Sequence, residues 1–206
     1  MAFSDFKSVL EVAQKYNLKT GNRRFLESNL SLSLPQYFWD DLEYSLNTKK
    51  PNPSEIALSE NFISPIIRYV ARRHPHLIFW SREYDLNVDE VLCGKPDYLF
   101  SYNPEPQFFA LGNPLVCVAE AKVEKFGEAW GQNLAEMVAC QKLNPEITIY
   151  GWTTNGDIWQ FGKLEGNIFT QDSRSYSLTT QAEQIAGILD WIFADAVRQA
   201  ENYLKN

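Results

Sequence analysis

With 206 residues, 45% of them hydrophobic and 14% aromatic, the chain is long and apolar enough for one domain with a sizeable core, which excludes a disordered protein. Its net charge of −7 lacks the basic footprint of proteins that hold long duplexes tightly, yet it leaves room for an acidic metal site. Cys93, Cys117 and Cys140 are odd in number and show no C-x-x-C spacing, which argues against a disulfide framework or a zinc site and for the reducing cytoplasm.

In chain order, Phe3, Phe6, Leu10 and Ala13 recur at helical spacing and predict a first helix over 4–16, amphipathic rather than the apolar core of a signal peptide. Residues 17–22, with a Thr-Gly-Asn cluster, read as a turn, and 25–34 is open between strand and loop. Pro35 suits the first turn of a helix through Phe38, Leu42 and Leu46, which the Pro-rich stretch 49–53 breaks. Ser54 caps a third helix whose apolar face is Ile56, Ile63, Ile66, Ile67 and Val70, and Pro65 inside it predicts a kink or two segments meeting. Its end holds Arg72, Arg73, His74 and His76; a solvated basic C-terminus favoured by the helix dipole fits these better than a metal site.

Three strand-like stretches follow, 77–88, 96–102 and 115–122, the last opening with the apolar run from Leu115 to Ala119 expected of a strand buried on both faces. A helix is expected over 127–143, with Trp130, Leu134, Met137 and Val138 on its apolar side and Glu128, Gln132 and Glu136 on another. Strands 147–154 and 157–164 join at Asn155-Gly156, a strong hairpin signal; 167–178 suggests further edge strands, and 179–204 a long closing helix. No run approaches the roughly 18 apolar residues of a membrane span. The order predicts an α/β fold around a mixed sheet, with the three-strand meander antiparallel.

Residues two apart on a strand share a face, so Glu120 and Lys122 project together from the end of a central strand while Ala121 points away. Asp97, at the start of another apolar strand, adds a second acid. Singly, a Pro-Asp at a strand start or a Glu/Lys pair at a strand end is more often a surface position or a structural ion pair. Together, in this order and followed by a helix carrying Gln132, they resemble the PD-(D/E)xK nuclease superfamily, and most closely the nuclease domain of type I restriction subunits and stand-alone relatives. The Thr154-Asn155-Gly156-Asp157-Ile158-Trp159 hairpin is similar to one that follows the nuclease motif there. The resemblance covers about 54–164, with 1–53 and 165–206 as extensions of a single domain.

The resemblance implies a restriction-endonuclease-like αβββαβ core and a metal-dependent nuclease acting on nucleic acid, DNA above all, in restriction, defence or DNA repair. Asp97 and Glu120 match its metal-binding acids, Lys122 its catalytic lysine, Gln132 the glutamine of the following helix and Glu60 the upstream helix acid, with Glu55 the weaker match. Ala121 would lend a backbone carbonyl. One departure is that Glu136 stands where a related extended motif carries tyrosine. Independently of the family, two carboxylates and a carbonyl are the hard oxygen donors that Mg²⁺ or Mn²⁺ takes while keeping waters. A lysine beside them can orient water or stabilise phosphate charge. The alternative is a nuclease-fold module that binds nucleic acid or a protein with little or no turnover. The chain has no helicase, methylase or target-recognition segment, which leaves room for a partner subunit or a homodimer.

Overall fold

A computed structural model describes residues 2–48, 53–105, 112–122 and 125–205. Residues 49–52 of the expected break and part of the loop between the second and third strands of the meander lie outside the described residues. The framework is a mixed seven-stranded sheet in the order β1-β9-β8-β7-β6-β5-β2. Its strands are β1 (Lys19–Asn22), β2 (Leu77–Ser81), β5 (Tyr98–Tyr102), β6 (Leu115–Ala121), β7 (Ile149–Thr154), β8 (Ile158–Glu165) and β9 (Ile168–Ser177); β3 (Leu86–Asn87) and β4 (Cys93–Gly94) form a separate small ribbon. Among the described residues six α-helices accompany them: α1 (Val9–Tyr16), α2 (Gln36–Thr48), α3 (Glu55–Leu58), α4 (Ser64–Ala71), α5 (Phe126–Leu143) and α6 (Leu178–Tyr203).

The meander β2-β5-β6 is antiparallel, and β7 then pairs parallel to β6 after the α5 crossover. Every residue of β5, β6 and β7 is buried, which explains why the sequence there runs apolar without alternation. Phe193 of α6 covers one face, with ring centroids 5.1 Å from Phe100 and 6.1 Å from Trp152. α5 covers the other, and it comes close because Gly151 and Gly162, paired in register on β7 and β8, have no side chains. A Cβ on Gly151 would lie 2.7 Å from Met137 Sδ, and one on Gly162 2.9 Å from the Trp130 ring. That close approach carries the polar side of α5 down onto the carboxyl end of β6.

Several expectations change. The first helix is a short 3₁₀ turn (Phe3–Asp5) and then α1, interrupted because Ser8 turns extended and caps α1 by accepting from Glu11 N. The expected turn at 17–22 includes β1, an edge strand parallel to β9, which is therefore not itself an edge. Residues 25–34 are irregular; Asp172 Oδ2 accepts the amides of Phe25 and Leu26, and Leu32 N donates to Glu183 O, so the backbone is satisfied without a ladder. His74 Nε2 and Arg73 Nε both lie 2.9 Å from Asp190 on α6, so the basic helix end, with Arg72 and Arg73 exposed as expected, is also tied to the closing helix. Ile56 is 58% exposed although Ile63, Ile66, Ile67 and Val70 are buried. The cause is a π-helical turn, Ser59–Ile63, between α3 and α4, whose longer turn rotates the two stripes out of line and lets the chain pass Pro65, which donates no N–H. Asn155-Gly156 does make the hairpin: Asn155 Oδ1 accepts from Ile158 N at 2.8 Å, and Gly156 adopts φ +95°.

Gly187 gives a test of this packing. In an open helix Gly→Ala stabilises by about 1 kcal/mol. Here a Cβ would meet the backbone of the 25–34 segment, 2.5 Å from Ser31 Cα and 2.7 Å from Leu30 C, so Gly187→Ala should instead lower stability by about 1–3 kcal/mol in urea melts. A stabilised variant would mean that this segment is not packed there. Among the described residues, no helix is long and apolar enough to cross a membrane.

Candidate active site

Glu120 comes from the last turn of the β6 pleat and is 1% exposed. Its register partner on β7 is Thr153, on the α5 side of the sheet, and its Oε1 accepts weakly from Asp97 N at 3.4 Å. Asp97, just before β5, lays its carboxylate across the end of β6: Oδ2 accepts from Ala121 N at 2.8 Å. In an extended strand the N–H and C=O of one residue point to the same side, so the Ala121 carbonyl also faces the Asp97 side. Asp97, Glu120 and Ala121 therefore meet at one strand end.

Lys122 follows directly. Its amide extends the parallel ladder by donating to Thr154 O at 2.9 Å, and its side chain is about one-third exposed with Nζ 3.9 Å from Glu55 Oε1. The acid that α3 and the π turn bring to the lysine is thus Glu55. Glu60 lies on the exposed side of the π turn, whereas its neighbour Ser59 points inward. Gln132 on α5 reaches the same region but donates to Glu136 Oε1 at 3.2 Å.

Glu136 is the residue whose importance the spacing alone did not reveal. The side of α5 that carries it was expected to be polar, but Glu136 is fully buried against Glu120. As two carboxylates the pair would only repel, and Glu120 Oε2 and Glu136 Oε2 have no hydrogen-bond donor. A proton shared between the two carboxyls would turn that repulsion into a hydrogen bond. Burial first, and then the neighbouring acids Glu136 and Asp97, push Glu120 well above the usual carboxylate range, while Lys122 pulls it back. Burial pushes Glu136 up to about 8, against the hydrogen bonds from Glu120 and Gln132 that favour its charged form. The second unexpected residue is Arg82, at the end of β2, whose Nε donates to Asp97 Oδ1 at 2.7 Å. A lone arginine after a strand gives no signal in a sequence.

No family model matches the chain, and among curated proteins no match is found. Trp152 and Trp159, which flank the hairpin, are fully buried and offer no stacking surface. Among the described residues no three His, Cys, Asp or Glu side chains already surround one point, because Asp97 is turned to Arg82 and the Ala121 amide. The donor set nevertheless fits a hard divalent cation. It offers carboxylates from Asp97 and Glu120, a carbonyl on the Asp97 side, and two buried carboxylate oxygens, of Glu120 and Glu136, for which the described residues supply no donor. Such a cation would replace the proton that the Glu120–Glu136 pair otherwise needs.

Proposed function

We propose that the chain is a divalent-metal-dependent nuclease, built on a restriction-endonuclease-like core over 54–164, that hydrolyses phosphodiester bonds in nucleic acid, with DNA as the first substrate to test. The observation that carries this reading is the juxtaposition of buried, donor-less Glu120 and Glu136 oxygens with Asp97 and Lys122 at one end of the sheet. The order of Asp97, Glu120, Lys122 and Gln132, and the resemblance drawn from it, support the same conclusion.

Asp97 and Glu120, with the Ala121 carbonyl, would hold Mg²⁺ or Mn²⁺. When bound, the ion supplies an acidified water and neutralisation of phosphate charge. Lys122 is the chain's own positive charge at this point, partly open to solvent, where it can hydrogen-bond a non-bridging phosphate oxygen and stabilise the charge that builds there. Gln132 orients Glu136 through its amide, and Glu136 in turn packs against Glu120 and favours its protonated form until a cation takes the proton's place. Glu55, the weaker of the two matches for the upstream helix acid, holds the lysine towards the site from the helix side.

A second reading, a nuclease-fold module that binds nucleic acid or a partner subunit without turnover, is favoured by one observation: Arg82 already neutralises Asp97. Titration calorimetry with Mn²⁺, together with incubation of plasmid and single-stranded DNA in Mn²⁺ or EDTA, separates the two. Metal uptake should weaken about tenfold or more in Glu120→Gln, and strand breaks should appear only with metal. Uptake without breaks would favour the binding module; no uptake in either protein would remove the basis of the nuclease reading.

A further inference from the structure

Arg82 is held with unusual economy. It sits at the end of β2 with φ +56°, a left-handed conformation that a non-glycine residue adopts at some cost. Its amide donates to Asp97 O at 3.1 Å, its Nε to Asp97 Oδ1 at 2.7 Å, and its Nη2 to Ser59 Oγ at 3.3 Å on the π turn. Asp97 Oδ2 is taken by the Ala121 amide, so both oxygens of this carboxylate are engaged by the protein's own donors. The guanidinium side chain is 31% exposed, so it has a path to solvent without disturbing the core.

We propose that Arg82 is a positioning residue that serves as a built-in counter-cation, holding Asp97 at the end of β6 in the metal-free chain and giving up Oδ1 when a divalent cation binds. This rests on the metal-site reading given above. A carboxylate facing buried Glu120 and Glu136 with no cation nearby would be repelled outward. The arginine keeps Asp97 in place across the strand end, at the expense of competing with the metal for Oδ1. The backbone bond from Arg82 N to Asp97 O does not involve the side chain, so β2 stays paired to β5 while the guanidinium moves. Ser59, inward-facing because of the π turn, sets the direction of the arginine by accepting from Nη2.

The test is Mn²⁺ titration, by calorimetry, of the wild-type chain, Arg82→Ala, Arg82→Lys and Glu120→Gln, with thermal melts in EDTA and in saturating Mn²⁺. Removing the competing cation should tighten Mn²⁺ about tenfold in Arg82→Ala, with Arg82→Lys close to wild type because an ammonium can still pair with Asp97. The same variant should melt lower than wild type in EDTA and gain more on adding Mn²⁺. A merely structural arginine would give the opposite result, weaker or unchanged metal binding, and that outcome overturns the proposal. If Arg82→Ala does not fold, Ser59→Ala carries the test: it loosens one tether and should tighten Mn²⁺ about twofold or more, and unchanged affinity counts against the proposal. Failure of the underlying reading looks different, because then neither wild type nor Arg82→Ala takes up Mn²⁺ in a way that depends on Glu120.

Discussion

Lys122→Ala should lose DNA cleavage by on the order of 10²-fold or more while Mn²⁺ binding stays within a few-fold of wild type. That is the usual cost of deleting a preorganised charge at a reacting centre. The separation follows from geometry. Lys122 is not a metal ligand in this account; its Nζ stands on the helix side near Glu55, while the candidate ligands Asp97 and Glu120 face each other across the strand end. Glu120→Ala should lose both cleavage and metal binding. Assays on plasmid and single-stranded DNA with Mn²⁺ compare the three proteins directly. Cleavage that survives both substitutions would place the activity elsewhere. Wild-type metal binding without cleavage would turn the interpretation to the binding module or to a missing subunit.

The second large effect is on stability in the absence of metal. Glu136 is pushed up from 4.5 to about 8, chiefly by burial, so between those values the folded chain keeps a proton that the unfolded chain has released. The stabilisation is complete below the unfolded value and is lost as pH rises through the folded one. In EDTA the contribution of this group should therefore fall with rising pH, by up to about 1.4 kcal/mol per unit. Glu120, raised in the same direction and coupled to it, adds to the trend. Glu136→Gln keeps the shape and removes the ionisation, so at pH 8 in EDTA it should be more stable than wild type by about 1–3 kcal/mol. The gap should narrow towards pH 5. Urea melts across this range measure it, and curves for the two proteins that run parallel would contradict the buried pair. Adding Mn²⁺ should shrink or reverse the difference, because the metal stabilises the charged wild-type pair more than the amide.

These expectations show where sequence reasoning reached and where it stopped. The apolar runs of β5, β6 and β7, the Ser54 cap, the Asn155-Gly156 turn and the long α6 were legible because each depends on local chemistry or on burial from both sides. β1 was not, since Lys19 to Asn22 has the composition of a turn and becomes a strand only because β9 lies beside it. Strand periodicity put Glu120 and Lys122 on one face, and the resemblance joined Asp97 and the Ala121 carbonyl to them. Ile56 was misplaced because periodicity assumes a uniform helix, and the π turn breaks that assumption between it and the rest of the stripe. Glu136 was visible as a helix position four residues after Gln132, but its burial depends on Gly151 and Gly162 letting α5 approach the sheet, a fact of tertiary packing. Arg82 had no signal at all: its meaning comes from a left-handed backbone and a partner fifteen residues away.

The central claim is that the end of β6 is a metal site. Crystals of the wild-type chain soaked in Mn²⁺ and measured at the manganese absorption edge test it most directly. The account predicts an anomalous peak between Asp97 and Glu120, within reach of the Ala121 carbonyl, with the Arg82 side chain turned away from Asp97 Oδ1. An empty strand end under saturating Mn²⁺, with Arg82 still paired to Asp97, would contradict it.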